Sequence, residues 1–201
     1  RAGFDELMAP LLRDESRLGA IHLATTDGRR ITLSREGDAP CAKLENMLPP
    51  SSPEAGTLEG TMWSPPFLAP GVGDGCITLS TRWRGSDGRA RILTFDISLA
   101  ELSRLTLDTP VGERGGSAVL TSDGDIVGIP RYPRFANLSD QRGAMLQPAA
   151  ANVDFLTHGH SRWLNAGQVD GSVLSYENEG ETWLAQFVPL QLGAQRWWVA
   201  G

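Results

Sequence analysis

Residues 92–130 read ILTFDISLAELSRLTLDTPVGERGGSAVLTSDGDIVGIP, and their order sets the architecture. Ile92, Leu93, Phe95 and Ile97 form an apolar strand that ends at Asp96 and Ser98. Ser98 suits an N-cap, and Glu101 three residues on completes a capping box, so a short helix follows at once. Leu99, Leu102 and Leu105 supply its expected buried face. A Gly-rich break, VGERGG at 111–116, then separates it from SAVLTSDGDIVGIP. There Asp123-Gly124, flanked by apolar runs, is a strong short-range signal for a β-hairpin.

The same grammar runs through the N-terminal half. Phe4, Leu7, Met8, Leu11 and Leu12 recur at helical spacing over residues 4–18, with Pro10 expected to break or kink the helix. Ile21, Leu23, Ile31 and Leu33 alternate with polar residues on either side of Asp27-Gly28, a second hairpin. Residues 35–60 are rich in Pro, Ser, Gly and Glu and read as a long excursion with one helical turn near 42–47. A short proline-interrupted strand at 61–67 follows, then CITLSTRW at 76–83, which pairs with 89–97 across the Gly85–Gly88 turn. Beyond residue 130 the pattern predicts a helix over 147–164 and three closing strands at 171–177, 182–190 and 196–201. Each half thus reads as a hairpin, a crossing segment and an antiparallel meander, an α+β arrangement.

Composition narrows the function. With a net charge of −6, the chain lacks the basic footprint of a nucleic-acid binder. It contains no run of about 18 apolar residues that would cross a bilayer. It starts at Arg1 rather than Met, and is read as a fragment or processed product. Cys41 and Cys76 are the two cysteines. They fit one disulfide in an oxidising compartment or two buried thiols in a reducing one. His158 and His160 lack accompanying ligands at zinc spacing. The serines lack a G-x-S-x-G elbow, and no phosphate-binding loop occurs, so no catalytic residue and no cofactor is expected.

Five segments, in order, resemble the landmarks of the double Cache family, the extracytoplasmic ligand-binding part of many bacterial transmembrane receptors. MWSPPF at 62–67 is similar to the strand that lines the family's membrane-distal pocket, and CITLSTRW at 76–83 to the strand after it. LTFDISLAELSRL at 93–105 resembles the strand and helix at the end of the distal module. AVLTSDGDIVGIP at 118–130 resembles the opening hairpin of the membrane-proximal module, and WLAQFVPLQLGAQRWWVAG at 183–201 its last two strands. The resemblance implies two PAS-like (Cache) modules, each an antiparallel sheet of about five strands with flanking helices, behind a truncated stem helix. Residues 1–112 would form the distal module and 113–201 the proximal one. The elements of the amino-acid-binding subgroup are broken, with Phe67 in place of its tyrosine and Ala69 in place of its aspartate. No Arg-x-Trp-Tyr occurs in 35–60, and only Asp96 survives.

Four residues stand out as a candidate ligand site. Asp96 puts a carboxylate beside a core, which demands a cation or several hydrogen bonds. It either meets a ligand ammonium or nearby arginine, or simply favours the N-terminus of the following helix. Arg82, opposite Trp83 in alternation, either clamps an anion in bidentate fashion or is solvated. Trp63 and Phe67 line a small-molecule pocket or fill an ordinary core. Trp197-Trp198 suits a membrane interface, or a final strand with one ring inward and one outward.

The expectation is a periplasmic small-molecule sensor, with no enzymatic activity in this fragment. Its ligand would be a carboxylate or zwitterion, and its output a histidine kinase, a diguanylate cyclase or phosphodiesterase, or a chemotaxis transducer. The full-length receptor would dimerise through its long helix and meet the membrane only through flanking spans. The alternatives are a protein-interaction module with no small ligand and a hydrolase with an unrecognised acid pair.

Overall fold

The computed structural model describes residues 2–25, 29–34, 60–68, 75–149 and 153–201. The chain divides into two compact units, Arg1–Ser98 and Leu99–Gly201. The helix after Asp96 therefore belongs with the second unit. The hairpin turn expected at 27–28, the helical turn near 42–47 and Ala69 lie outside the described residues.

The first unit contains α1 (Ala2–Asp14), β1 (Leu18–Thr25), β2 (Arg30–Ser34), β3 (Gly60–Trp63), β4 (Phe67–Leu68), β5 (Gly75–Arg84) and β6 (Ala90–Ser98). Its antiparallel sheet has the order β2-β1-β6-β5-β3, with β4 also paired to β5. One face is apolar. Phe4, Met8 and Leu12, spaced four apart on α1, pack there against Leu18, Ile21, Leu33, Leu93, Phe95 and Ile97. The helix runs through Pro10 rather than breaking. Met8 and Leu12 anchor it to the sheet on both sides of the proline, which outweighs the lost backbone hydrogen bond. Leu7 and Leu11 are left exposed on the outer side.

The second unit contains α2 (Leu99–Asp108), β7 (Pro110–Val111), β8 (Gly115–Gly116), β9 (Ala118–Leu120) and β10 (Ile126–Gly128). A 3-10 turn (Pro133–Phe135) follows, then α3 (Leu138–Ala144) and α4, which is Asp154–Asn165. The strands β11 (Val173–Asn178), β12 (Glu181–Leu192) and β13 (Gln195–Ala200) close the chain. The sheet order is β10-β9-β13-β12-β11. In each unit, the first strand of the opening hairpin lies beside the last strand of the closing meander. One topology is used twice, as an α+β fold of two PAS-like sheets.

Three local expectations are corrected. The buried face of α2 is Leu99, Ser103 and Thr106, while Leu105 is exposed. Main-chain groups just past β10 need partners, and hydroxyls supply them where leucines cannot. Ser103 Oγ accepts from the Ile129 N–H at 3.0 Å, and Thr106 Oγ1 donates to the Ile129 carbonyl at 2.6 Å. The glycine break at 111–116 is no slack linker but a two-stranded ribbon. A Cβ on Gly115 would lie 2.4 Å from the Val111 carbonyl oxygen, so the residue is dictated by close approach. Of the helix expected over 147–164, Gln147 and Pro148 are not helical, Pro148 bridging instead to Asp125, and α4 runs over Asp154–Asn165. Gly159 brings it onto the sheet, since a Cβ there would sit 3.2 Å from Ala185 Cβ.

Trp197 and Trp198 are both buried, so neither ring faces outward. Trp198 meets Trp163 of α4 edge-on at 4.5 Å, and Trp163 stacks on Phe187 at 4.7 Å.

Candidate ligand-binding site

The candidate site grows from strand alternation in the first unit. Residues paired across neighbouring strands share a face, and side chains alternate along each strand. Thr78 pairs with Asp96, Asp96 with Ala20, and Thr94 with His22. Ser80 and Arg82 follow Thr78 on β5, and Thr32 faces His22 from β2. The face opposite α1 is therefore lined by polar side chains, yet His22, Thr78 and Asp96 are fully buried and Thr94 nearly so.

Buried polar groups need partners. Asp96 Oδ2 lies 2.8 Å from His22 Nε2, and His22 Nδ1 lies 3.0 Å from Thr32 Oγ1. Ser80 and Thr94 hydroxyls meet at 3.1 Å. Thr78 donates its N–H to Ser64 Oγ at 3.0 Å. Two atoms on this face, Thr78 Oγ1 and Arg82 Nε, are buried without a hydrogen-bond partner among the described residues. Thr78 and Arg82 are four residues apart on one strand, roughly 13 Å along its axis.

The four expected site residues divide three to one. Arg82 and Asp96 share the polar face. Phe67 joins them, because it pairs with Cys76, two residues before Thr78, and packs against it. Trp63 pairs with Leu79 and so belongs to the α1 side. Four residues separate Trp63 from Phe67, whereas only three separate their partners Leu79 and Cys76. That one-residue surplus, taken up at Ser64–Pro66, turns the two rings to opposite faces.

Cys76 is disulfide-bonded, and Cys41, the other cysteine of the sequence, lies outside the described residues. His22 is the residue of this face that sequence reading passed over. Its signal was the small and polar set Ala20, His22 and Ala24 alternating with Ile21 and Leu23 on β1.

The other histidines belong to the second unit. His158 stacks on Tyr176 and hydrogen-bonds the Asp154 carbonyl at 3.0 Å. His160 lies against Trp163 and Phe187, where burial holds its pKa below the usual imidazole value. Among the described residues, no three His, Cys, Asp or Glu side chains gather as a metal site.

No family model and no curated protein matches the sequence. Solved structures do match in fold. The ligand-binding domain of the Pseudomonas aeruginosa amino acid chemoreceptor PctC, in complex with GABA, aligns with a TM-score of 0.61 at 17% identity. That alignment covers 95% of this chain and 75% of the other. This is the double Cache sensor fold. The sensory domain of the Campylobacter jejuni chemoreceptor Tlp3, with isoleucine bound, aligns at 0.59 and 16% identity, over 100% of this chain and 74% of that one. The Pseudomonas fluorescens chemoreceptor CtaA domain, in complex with L-serine, aligns at 0.55 and 16%, over 97% and 78%. The two sheets with one strand order account for the double in double Cache.

Proposed function

We propose that this chain is the extracytoplasmic small-molecule sensor of a transmembrane receptor. The ligand is taken on the polar face of the first unit, by Arg82, Asp96 and Phe67. The observation that carries this reading is the pair of buried polar atoms, Arg82 Nε and Thr78 Oγ1, that lack a hydrogen-bond partner among the described residues, on the face that holds Asp96. Leaving such atoms unmet costs about 1–3 kcal/mol each, which a bound polar ligand recovers. A guanidinium favours an anionic group, and the Asp96 carboxylate at the other end of the face favours a cationic one. A carboxylate or zwitterion fits both. The structural neighbours carry GABA, serine and isoleucine, which supports the zwitterion.

In this reading the first unit is the membrane-distal module and the second unit the membrane-proximal one. The disulfide at Cys76 supports an oxidising, periplasmic setting. Exposed Leu7 and Leu11, one turn apart on α1, support pairing of two copies through that helix. Ligand closure shifts the population of an output domain, a kinase, cyclase, phosphodiesterase or chemotaxis transducer, and the sensor performs no chemistry of its own.

The test is thermal unfolding of residues 1–201 against carboxylates, amino acids, amines, purines and sugars. A ligand at 100 times its Kd adds about 2.7 kcal/mol. For a chain of this length that is a shift of roughly 5–10 °C. The shift should vanish in Arg82→Ala and survive Trp63→Leu. A flat response from well-folded protein would move the reading to a protein-interaction module.

A further inference from the structure

We propose that the second unit holds a ligand site of its own, a cleft for an organic cation built on Tyr132, Phe155 and Trp183 and rimmed by Asp154 and Glu179. The cleft encloses about 710 Å³. That lies within the 300–1,000 Å³ usual for small-molecule sites. The interior between α4 and the sheet offers only about 30 Å³, so it is closed to a solute.

Four short pieces of chain bring these side chains together. Tyr132 follows β10 and precedes the 3-10 turn, Asp154 and Phe155 open α4, Glu179 sits in the β11–β12 turn and Trp183 lies on β12. Phe155 and Trp183 stack at 5.9 Å and 15°, and Tyr132 tilts against Phe155 at 5.8 Å. Aromatic faces carry negative charge density and attract cations within about 6 Å.

The charge around the rings agrees. Glu113, Asp154 and Glu179 line the cleft together with Arg114 and Arg131. Arg114 is engaged by Glu181 at 2.5 Å, which leaves Arg131 as the uncommitted cation facing three carboxylates among the described residues. Tyr132 donates its hydroxyl to Asp154 at 3.3 Å. Its phenol is pushed above the usual value by burial first, then by Asp154 and Glu179, so it stays a neutral donor. Glu179 holds a positive φ of 54° beside Gly180 at 77°, a turn that ordinarily favours Asn or Gly at the first place. Stacked rings beside two or more carboxylates suit an alkylammonium, the chemistry opposite to an arginine-lined site.

The experiment is calorimetric titration of residues 1–201 with choline and with its neutral isostere 3,3-dimethylbutan-1-ol. Choline should bind and the isostere should not. Asp154→Asn with Glu179→Gln, both at exposed positions, should weaken choline by about tenfold. Tyr132→Phe, which keeps the ring and frees Asp154, should retain or tighten it. Arg82→Ala should leave choline binding unchanged, which separates this site from the one in the first unit. Equal binding of the isostere, unchanged binding in the double variant, or no binding of choline at about 10 mM would each overturn the proposal.

Discussion

Replacing His22 by leucine tests whether the polar face of the first unit is held together as described. The substitution removes the 2.8 Å contact to Asp96, where neither side chain has any exposure, and the 3.0 Å contact to half-buried Thr32. Removing one member of a buried, hydrogen-bonded pair of ionisable groups costs about 3–5 kcal/mol, because water cannot replace the lost partner there. At about 2–4 °C per kcal/mol for a chain of this length, melting should fall by roughly 6–20 °C. Asp96→Leu alone should cost a similar amount. The double variant should recover part of the loss, since two apolar side chains replace a pair rather than orphan one partner. Urea unfolding followed by circular dichroism, run as a double-mutant cycle, should give a coupling of about 2–3 kcal/mol. If His22→Leu costs less than about 1 kcal/mol, or if the two single losses simply add, the pair does not organise the face.

Two further outcomes follow from single groups. Burial lowers the His160 pKa, so the unfolded chain binds the proton more readily than the folded one. Stability should therefore be full above about pH 6.5 and decline as pH falls below it, and His160→Gln should flatten that decline in denaturant titrations between pH 5 and 7, about the imidazole range. With Cys76 in a disulfide, unfolded but unreduced protein should show no free thiol to a thiol reagent, and reduction should cost about 2–4 kcal/mol. A free thiol would remove that support for a periplasmic setting.

Much of the fold was legible because alternation and turn chemistry are local. CITLSTRW and ARILTFDIS announce β5 and β6 by period, and Asp123-Gly124 announces the β9–β10 turn. What escaped was set by partners distant in the chain. Leucines at 99, 102 and 105 look like the inner face of α2, but Ile129, some thirty residues later, needs hydroxyls and turns Ser103 and Thr106 inward. Asp96 was recognisable as a carboxylate needing a partner, whereas His22 was not, because the two are 74 positions apart in the chain. Phe67, Arg82 and Asp96 share a face as their pattern suggests, but Trp63 does not, since no reading of one strand reveals the count on its neighbour.

That unequal count has a consequence for how such a site changes over generations. Between Trp63 and Phe67 the edge of the sheet carries one residue more than the strand it pairs with. Losing a single residue from Ser64–Pro66 would restore equal spacing, and plain alternation would then keep Trp63 opposite Leu79 and Phe67 opposite Cys76, each ring on its present face. At this wall the surplus residue is absorbed locally without exchanging the two rings, so relatives that lack it should still present the same aromatic to the polar face.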